Sequence, residues 1–297
     1  MIGADQNNPT DGVIVKGIKN LLTKAYDHYR YRYLFLDDHN PMNYISNETY
    51  DLIVICGTPW LWDSFQKSTK YANLLSIFET HKDSKKLFMG IGSCLNLKDI
   101  ESDILRRSAE IEGMLKLFKG TTIITRDHLA NELLENADID NTFLACPAFF
   151  AYNDYSLSKK ENNVLIWCDP QKTISSGDWK SGKKLKAYHD EYMEFYNQYK
   201  PVVYCAFENE IEKAVEIGLP VPKILTGWEM TLELMKDADN VLSGRVHCAV
   251  PALARGANVK LMALDTRFYV IEDFKDSLDL ESTEKEYIRI LNEISVK

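Results

Sequence analysis

Residues 238–265, "ADNVLSGRVHCAVPALARGANVKLMALD", decide how this chain is to be read. Two apolar runs of strand character, "DNVLSG" (239–244) and "NVKLMALD" (258–265), flank a helical segment over 245–255 that Gly256 closes. A strand, a helix and a strand in this order form a crossover unit, and fully apolar strands need cover on both faces, which a parallel sheet between helices supplies. Arg245 and His247 stand two positions apart inside this apolar run. At a strand-to-helix junction they fall in the first helical turn, where unpaired N–H groups and the helix dipole favour an anion. An arginine bridging two domains and a hydrogen-bonded core histidine would leave the same letters, so the local pattern leaves the two readings even.

The same alternation runs outward in both directions. Strand-like runs occur at 33–38, 50–57, 85–92, 121–125, 142–147, 163–169, 201–207 and 221–227, with helix-period stretches between them. Among the helical stretches are 12–25, with Asp11 as N-cap, then 69–79, 97–118, 126–136, 185–199, 208–217, 228–237 and 280–297. The polar stretch "AYNDYSLSKKEN" (151–162) breaks the pattern and reads as a linker. The expectation is an α/β protein of two doubly wound, Rossmann-like domains facing a cleft. One spans 1–150, the other 163–280, and a last helix over 281–297 packs back on the first. Ligands of such sheets gather at the carboxyl ends of the strands.

Composition narrows the chemistry. The net charge of −9 speaks against a nucleic-acid binder but permits a local cationic pocket for a small anion. Six cysteines without a CxxC pair, mostly in apolar runs, read as reduced, buried thiols in a cytoplasmic protein rather than as a disulfide frame or metal site. No apolar run is long enough for a membrane span and no leader is visible, though a peripheral seat at a membrane stays compatible. The oligomeric state is not legible. There is no GxGxxG, P-loop, GxSxG or HExxH, so hydride transfer, nucleotide hydrolysis and zinc hydrolysis lose weight.

Further candidates sit at other junctions. "IITRDHLANELL" (123–134) places Arg126 and Asp127 between a strand and a helix; Asp127 suits an N-cap, whereas Arg126 opposes the dipole and wants an anion. "GADQNNPTDGVIV" (3–15) is a polar turn with Asn8 and Asp11. In "CGTPWLWD" (56–63), Gly57 and Thr58 follow a buried strand, and Trp60 and Trp62 are candidate platforms for a sugar ring, although packing is the commoner role. "QKTISSGDWKSGKKLK" (171–186) could be a lysine-bearing lid or a solvated loop, and "DTRF" (265–268) ends the last strand.

In order and spacing these segments resemble the polysaccharide pyruvyl transferase family. They are "NNPTDG" (7–12), "DLIVICGTPWLW" (51–62), "TRDHLANELL" (125–134), "CPAFF" (146–150) and "SGRVHCAVPALARGANV" (243–259). The resemblance implies a GT-B-like fold and transfer of an enolpyruvyl unit from phosphoenolpyruvate to a sugar of a surface or secreted glycan, forming a pyruvate ketal. Phosphoenolpyruvate is then a co-substrate, with no cofactor and no metal. The donor site would comprise Arg126, Ser243, Gly244, Arg245, Val246 and His247. His247 would be the general acid, with Arg245 holding the donor. Asp11, and more weakly Asp169, would be the base, and Asn8, Gly57, Thr58, Trp60 and Trp62 the acceptor side. Thr10, Gly57-Thr58-Pro59 and Cys146 depart from the family pattern, so the donor half looks better preserved. The chain starts close to its first turn, which leaves little room for an opening strand. Alternatives are a nucleotide-sugar glycosyltransferase of the same architecture, with Glu208 or Glu229 holding a ribose, and a non-catalytic glycan- or anion-binding relative.

Overall fold

Alternate residues of the central strands enter two different cores. In β3 (Leu52–Cys56), Ile53 and Ile55 face one apolar cluster while Val54 and Cys56 face another. In β5 (Lys85–Cys94), Phe88 and Ile91 likewise oppose Leu87 and Met89. A strand with two apolar faces must lie between two helical layers, as the sequence pattern requires. The computed structural model describes residues 1–3, 8, 10–36, 45, 47–57, 59–62, 65–95, 113–154, 162–173, 182–262 and 264–294.

The first sheet is parallel throughout, in the order β2 (Leu34–Phe35), β1 (Ile2–Gly3), β3, β5, β6 (Thr122–Thr125) and β7 (Thr142–Phe143), with β4 (Pro59–Trp62) pairing β5. α1 (Asp11–Ala25) covers one face, and α2 (Thr69–Thr80) and α3 (His128–Glu135) the other. The second sheet is parallel in the order β10 (Lys223–Ile224), β9 (Val202–Cys205), β8 (Asn162–Trp167), β11 (Ala238–Ser243) and β12 (Asn258–Leu261). α4 (Lys183–Tyr199) and α5 (Ile211–Glu216) cover one side of it, α6 (Trp228–Lys236) and α7 (Val246–Ala254) the other. In this sheet the order reverses between β8 and β11, the place where doubly wound folds open a crevice.

Four expectations change. An opening strand does exist, two residues long, between β2 and β3. β4 was not foreseen: β5 bends at Gly90, whose φ of +81° suits glycine, and its far half takes β4 as a partner. The run 142–147 is strand only at 142–143, because Pro147 starts a 3-10 turn. Asp11 is the first residue of α1, with Thr10 at the N-cap. Most of the expected helix 97–118, and most of the linker, lie outside the described residues.

The last helix, α8 (Leu280–Ile294), returns to the first sheet. Tyr287 is fully buried there and its hydroxyl donates to the Ala145 carbonyl at 2.8 Å. One apolar cluster runs through α1, α8 and the 147–150 turn into Ala249, Val250 and Ala254 of α7, so the two sheets share a core. No helix among the described residues is long and apolar enough to cross a membrane. All six cysteines are free, and burial pushes the thiols of Cys56 and Cys205 up to about 11 and that of Cys248 to about 12.

Candidate active site

β11 hands its chain to α7 through a turn that Ser243 closes. The Ser243 hydroxyl accepts from the Arg245 N–H at 2.9 Å and donates to the Arg245 carbonyl at 2.8 Å. That hydroxyl is spent on the turn. Arg245 is the N-cap residue, just before the helix rather than in its first turn, and has extended backbone angles. Gly244 gives its N–H to the Ile166 carbonyl, and Val246 packs against the shared core. Of the two polar residues, only His247 lies in the first turn.

His247 is buried between the two halves of the chain. Its Nδ1 lies 3.1 Å from Asp11 Oδ1 and its Nε2 3.0 Å from an Arg126 terminal nitrogen. A guanidinium can only donate, so Nε2 accepts and the ring proton sits on Nδ1, facing Asp11. The imidazole is therefore neutral. Burial pulls its pKa below the ordinary histidine value; the bond to Asp11 opposes this, and the Arg126 charge reinforces it. The sign for stability follows. Below about pH 6.5 the unfolded histidine takes a proton that the folded one resists, so folding weakens as pH falls through that value. We expect the melting temperature to drop between pH 7 and pH 5, and His247→Gln to flatten that slope. An unchanged slope in the variant would mean that the folded ring takes up its proton as the unfolded one does.

Asp11 reaches His247 because of the turn before α1. Asn8 accepts from the Thr10 N–H at 3.2 Å and hydroxyl at 2.8 Å, and its side-chain amide donates to Asp11 Oδ1 at 2.9 Å. Thr10, where the family pattern has glycine, adopts a right-handed helical conformation any residue can take. Arg126 arrives from the opposite direction, beyond β6, and is fully buried. Gly92 makes room for it: a side chain there would lie 2.5 Å from Arg126 Nε and 2.7 Å from Asp127 Oδ2. Asp127 caps α3 through the Ala130 N–H and also accepts from the Ser93 N–H and hydroxyl, as its sequence position suggests for the cap alone.

Arg245 leans the other way. It bonds Glu210 Oε1 at 2.6 Å and stacks 4.9 Å from the Phe207 ring centre. Glu210 is buried and also accepts from the N–H groups of Asp169, Ala206 and Phe207. Asp169 caps the following turn by accepting from Gln171. Arg267 is held by both Asp265 oxygens; its charge acts on His247 and on Arg245, while Arg126 acts on His247 too. The charges of Arg126 and Arg267 thus both act on His247 and that of Arg267 also acts on Arg245, while Asp11, Asp265 and Glu210 bond His247, Arg267 and Arg245 respectively. Arg126 Nε and its second terminal nitrogen, and Arg245 Nε, are buried and have no hydrogen-bond partner among the described residues.

The acceptor-side expectations fare differently. Asn8 belongs to the His247 network. Trp60 is no exposed platform: it is 2% exposed, donates to the Cys56 carbonyl and packs edge-on against Phe65. Gly57 is buried as well. Turning the chain back into β4 is what draws both into the core. Thr58, the Trp62 side chain and residues 174–181 of the 171–186 loop, Lys180 included, lie outside the described residues. The sequence reading overlooked Glu210, Gly92, Ser93 and Thr266. A glycine pair in "MGIGSC" at the end of a strand was a visible signal for close approach. Nothing in "ENE" (208–210) marked Glu210 as the partner of Arg245.

The chain matches the family model "Polysaccharide pyruvyl transferase" over residues 5–259. Among solved structures it is similar to two of UDP-GlcNAc 2-epimerase from Methanocaldococcus jannaschii. One, in complex with UDP-GlcNAc and UDP, has a TM-score of 0.51 and the other 0.50. Both are 11% identical, with 98% of each chain covered. At that identity the likeness concerns the fold, which is the GT-B-like, two-domain Rossmann arrangement. No curated protein matches the chain. With the family's pattern running through the Asp11 turn, the Arg126 junction and the Arg245–His247 junction, the chain belongs to the polysaccharide pyruvyl transferase family.

Proposed function

We propose that the protein transfers the enolpyruvyl unit of phosphoenolpyruvate to a sugar of a surface or secreted glycan, in the cytoplasm, leaving a pyruvate ketal. One observation carries the reading: a wholly buried Arg126 bonds His247 and keeps two further nitrogens unpaired, and the Arg267 charge acts on the same histidine. Buried donors without acceptors are costly, and a small dianion with a phosphate and a carboxylate would satisfy them. Family membership points to the same donor.

The tautomer of His247 changes its expected role. With its proton on Nδ1 toward Asp11, Nε2 begins as a base, and Asp11 positions the ring and steadies the cation that forms. In this sequence the donor's anionic groups draw Arg126 off Nε2. A sugar hydroxyl loses its proton to Nε2 and bonds to C2 of the donor, while the same proton passes to the methylene carbon, which becomes a methyl group. A second hydroxyl then attacks C2 as the C–O bond to phosphate breaks, and phosphate leaves with that electron pair toward the arginines. The second hydroxyl's proton goes to the departing phosphate.

The test is incubation with phosphoenolpyruvate and a panel of sugars and glycan precursors, following inorganic phosphate and the mass of the acceptor. Acceptor-dependent phosphate release with gain of a pyruvate ketal is expected. Phosphoenolpyruvate at 100 times its dissociation constant should also stabilise the fold by about 2.7 kcal/mol. Neither stabilisation nor release would overturn the reading.

A further inference from the structure

A cavity of about 650 Å³ opens between α1 and the second sheet. Gly12, Val15, Lys16 and Lys19 of α1 form one side, and Ala206, Leu225, Thr226, Gly227 and Trp228 the other. Tyr31, Tyr33 and Phe35 complete the wall. Asn8 lines it too, and Asn8 holds the Asp11 carboxylate that positions His247. One side chain therefore links the cavity wall to the Asp11–His247 pair, while none of Arg126, Arg245 or Arg267 lines the cavity.

Its lining joins two kinds of chemistry. Flat aromatic faces suit the C–H face of a sugar ring: Tyr33 and Phe35 are locked edge-to-face at 4.6 Å, and Trp228, packed on Gly12, lines the same cavity. Lys16 and Lys19 supply cations. Neither has a carboxylate partner among the described residues; Lys19 sits 4.4 Å from the centre of the half-exposed Tyr31 ring. A chain with nine more acidic than basic groups leaves two neighbouring lysines unpaired here, one helical turn apart on the same face of α1. The Glu229 carboxylate lies against Gly227 at the start of α6 and forms no ion pair with either lysine among the described residues.

We infer that this cavity seats the acceptor as an anionic saccharide, a sugar carrying a phosphate or diphosphate, with its ring on the aromatic wall and its anion on Lys16 and Lys19. The inference rests on the transfer reading above and names its acceptor class. It also moves the acceptor away from Trp60 and Gly57, which are buried elsewhere. Glycan precursors carry such groups from several sources: a free sugar 1-phosphate, a nucleoside diphosphate sugar, or a prenyl diphosphate sugar at a membrane.

Calorimetric titration separates these. Common hexoses and N-acetylhexosamines would be offered as free sugars, 1-phosphates, uridine diphosphate sugars and farnesyl diphosphate sugars. At least one charged form should bind the wild-type chain about tenfold or more tightly than its free sugar, with the preference shrinking as salt rises. The tightest class identifies the source. In the Lys16→Ala/Lys19→Ala chain this preference should vanish while phosphoenolpyruvate binds as before. The inference is overturned if no charged form is preferred, or if the preference survives in the double variant. Failure here with intact phosphoenolpyruvate turnover leaves the transfer reading standing; charged-sugar preference without turnover of phosphoenolpyruvate rejects that reading instead.

Discussion

Arg245→Met should lower pyruvyl transfer by about 10³-fold or more and destabilise the fold by about 3–5 kcal/mol. Both effects come from one neighbour. Glu210 is buried with its carboxylate on Arg245, and removing the cation leaves an unmatched charge in the interior. Three backbone N–H groups still reach Glu210, which places the cost nearer the lower end. Activity and stability are separated by two further chains. Arg245→Lys keeps a charge beside Glu210 but loses the planar fork and the stack on Phe207, so it should fold within about 1 kcal/mol of wild type and still lose about 10²-fold in turnover. The pair Arg245→Met with Glu210→Gln should regain stability without regaining turnover. Urea unfolding and phosphate release read these separately. Full turnover in Arg245→Lys would show that this guanidinium does not hold the donor.

His247→Asn should cost about 10²–10⁴-fold in transfer with little loss of stability. Little is lost because Asp11 and Arg126, the two groups on either side of the ring, are opposite charges that can face each other once it is gone. The split between kinetic constants is informative. A group that moves protons should lower kcat, whereas one that only spaces Arg126 should raise the KM for phosphoenolpyruvate. The variant should also lose the acidic limb of the pH–rate profile, since the neutral ring is the active form. Near wild-type turnover in His247→Asn would remove His247 from the proton path.

The fold was legible because its strands are apolar on both sides. Such runs in β3, β5, β8 and β11 admit few arrangements other than a covered parallel sheet. The junction residues were legible for a different reason: Arg126 opposes a helix dipole and Arg245 interrupts an apolar run, so each calls for an explanation. β4 was not legible, because "PWLW" reads as a turn with aromatics until the bend at Gly90 gives it a partner strand. Glu210, a residue from another strand's loop, could be joined to Arg245 only by the strand order of the second sheet. The tautomer of His247 likewise depends on which nitrogen meets which charge, and no sequence pattern carries that.

Thr266 stitches the two halves together. Its hydroxyl bonds the Ser93 hydroxyl at 2.8 Å and accepts from the Leu95 N–H, and its own N–H donates to the Leu95 carbonyl. Ser93 is in turn bound to Asp127, the cap of α3 next to Arg126. With the apolar cluster that passes from α1 into α7, this makes the halves a single thermal object. Heat cannot melt the second sheet without stripping Ser93 and α1 of their partners, and a fragment ending near residue 154 would carry Asp11 and Arg126 with nothing between them. The site is therefore a gauge of assembly: His247 meets both Asp11 and Arg126 only where both halves have closed on it.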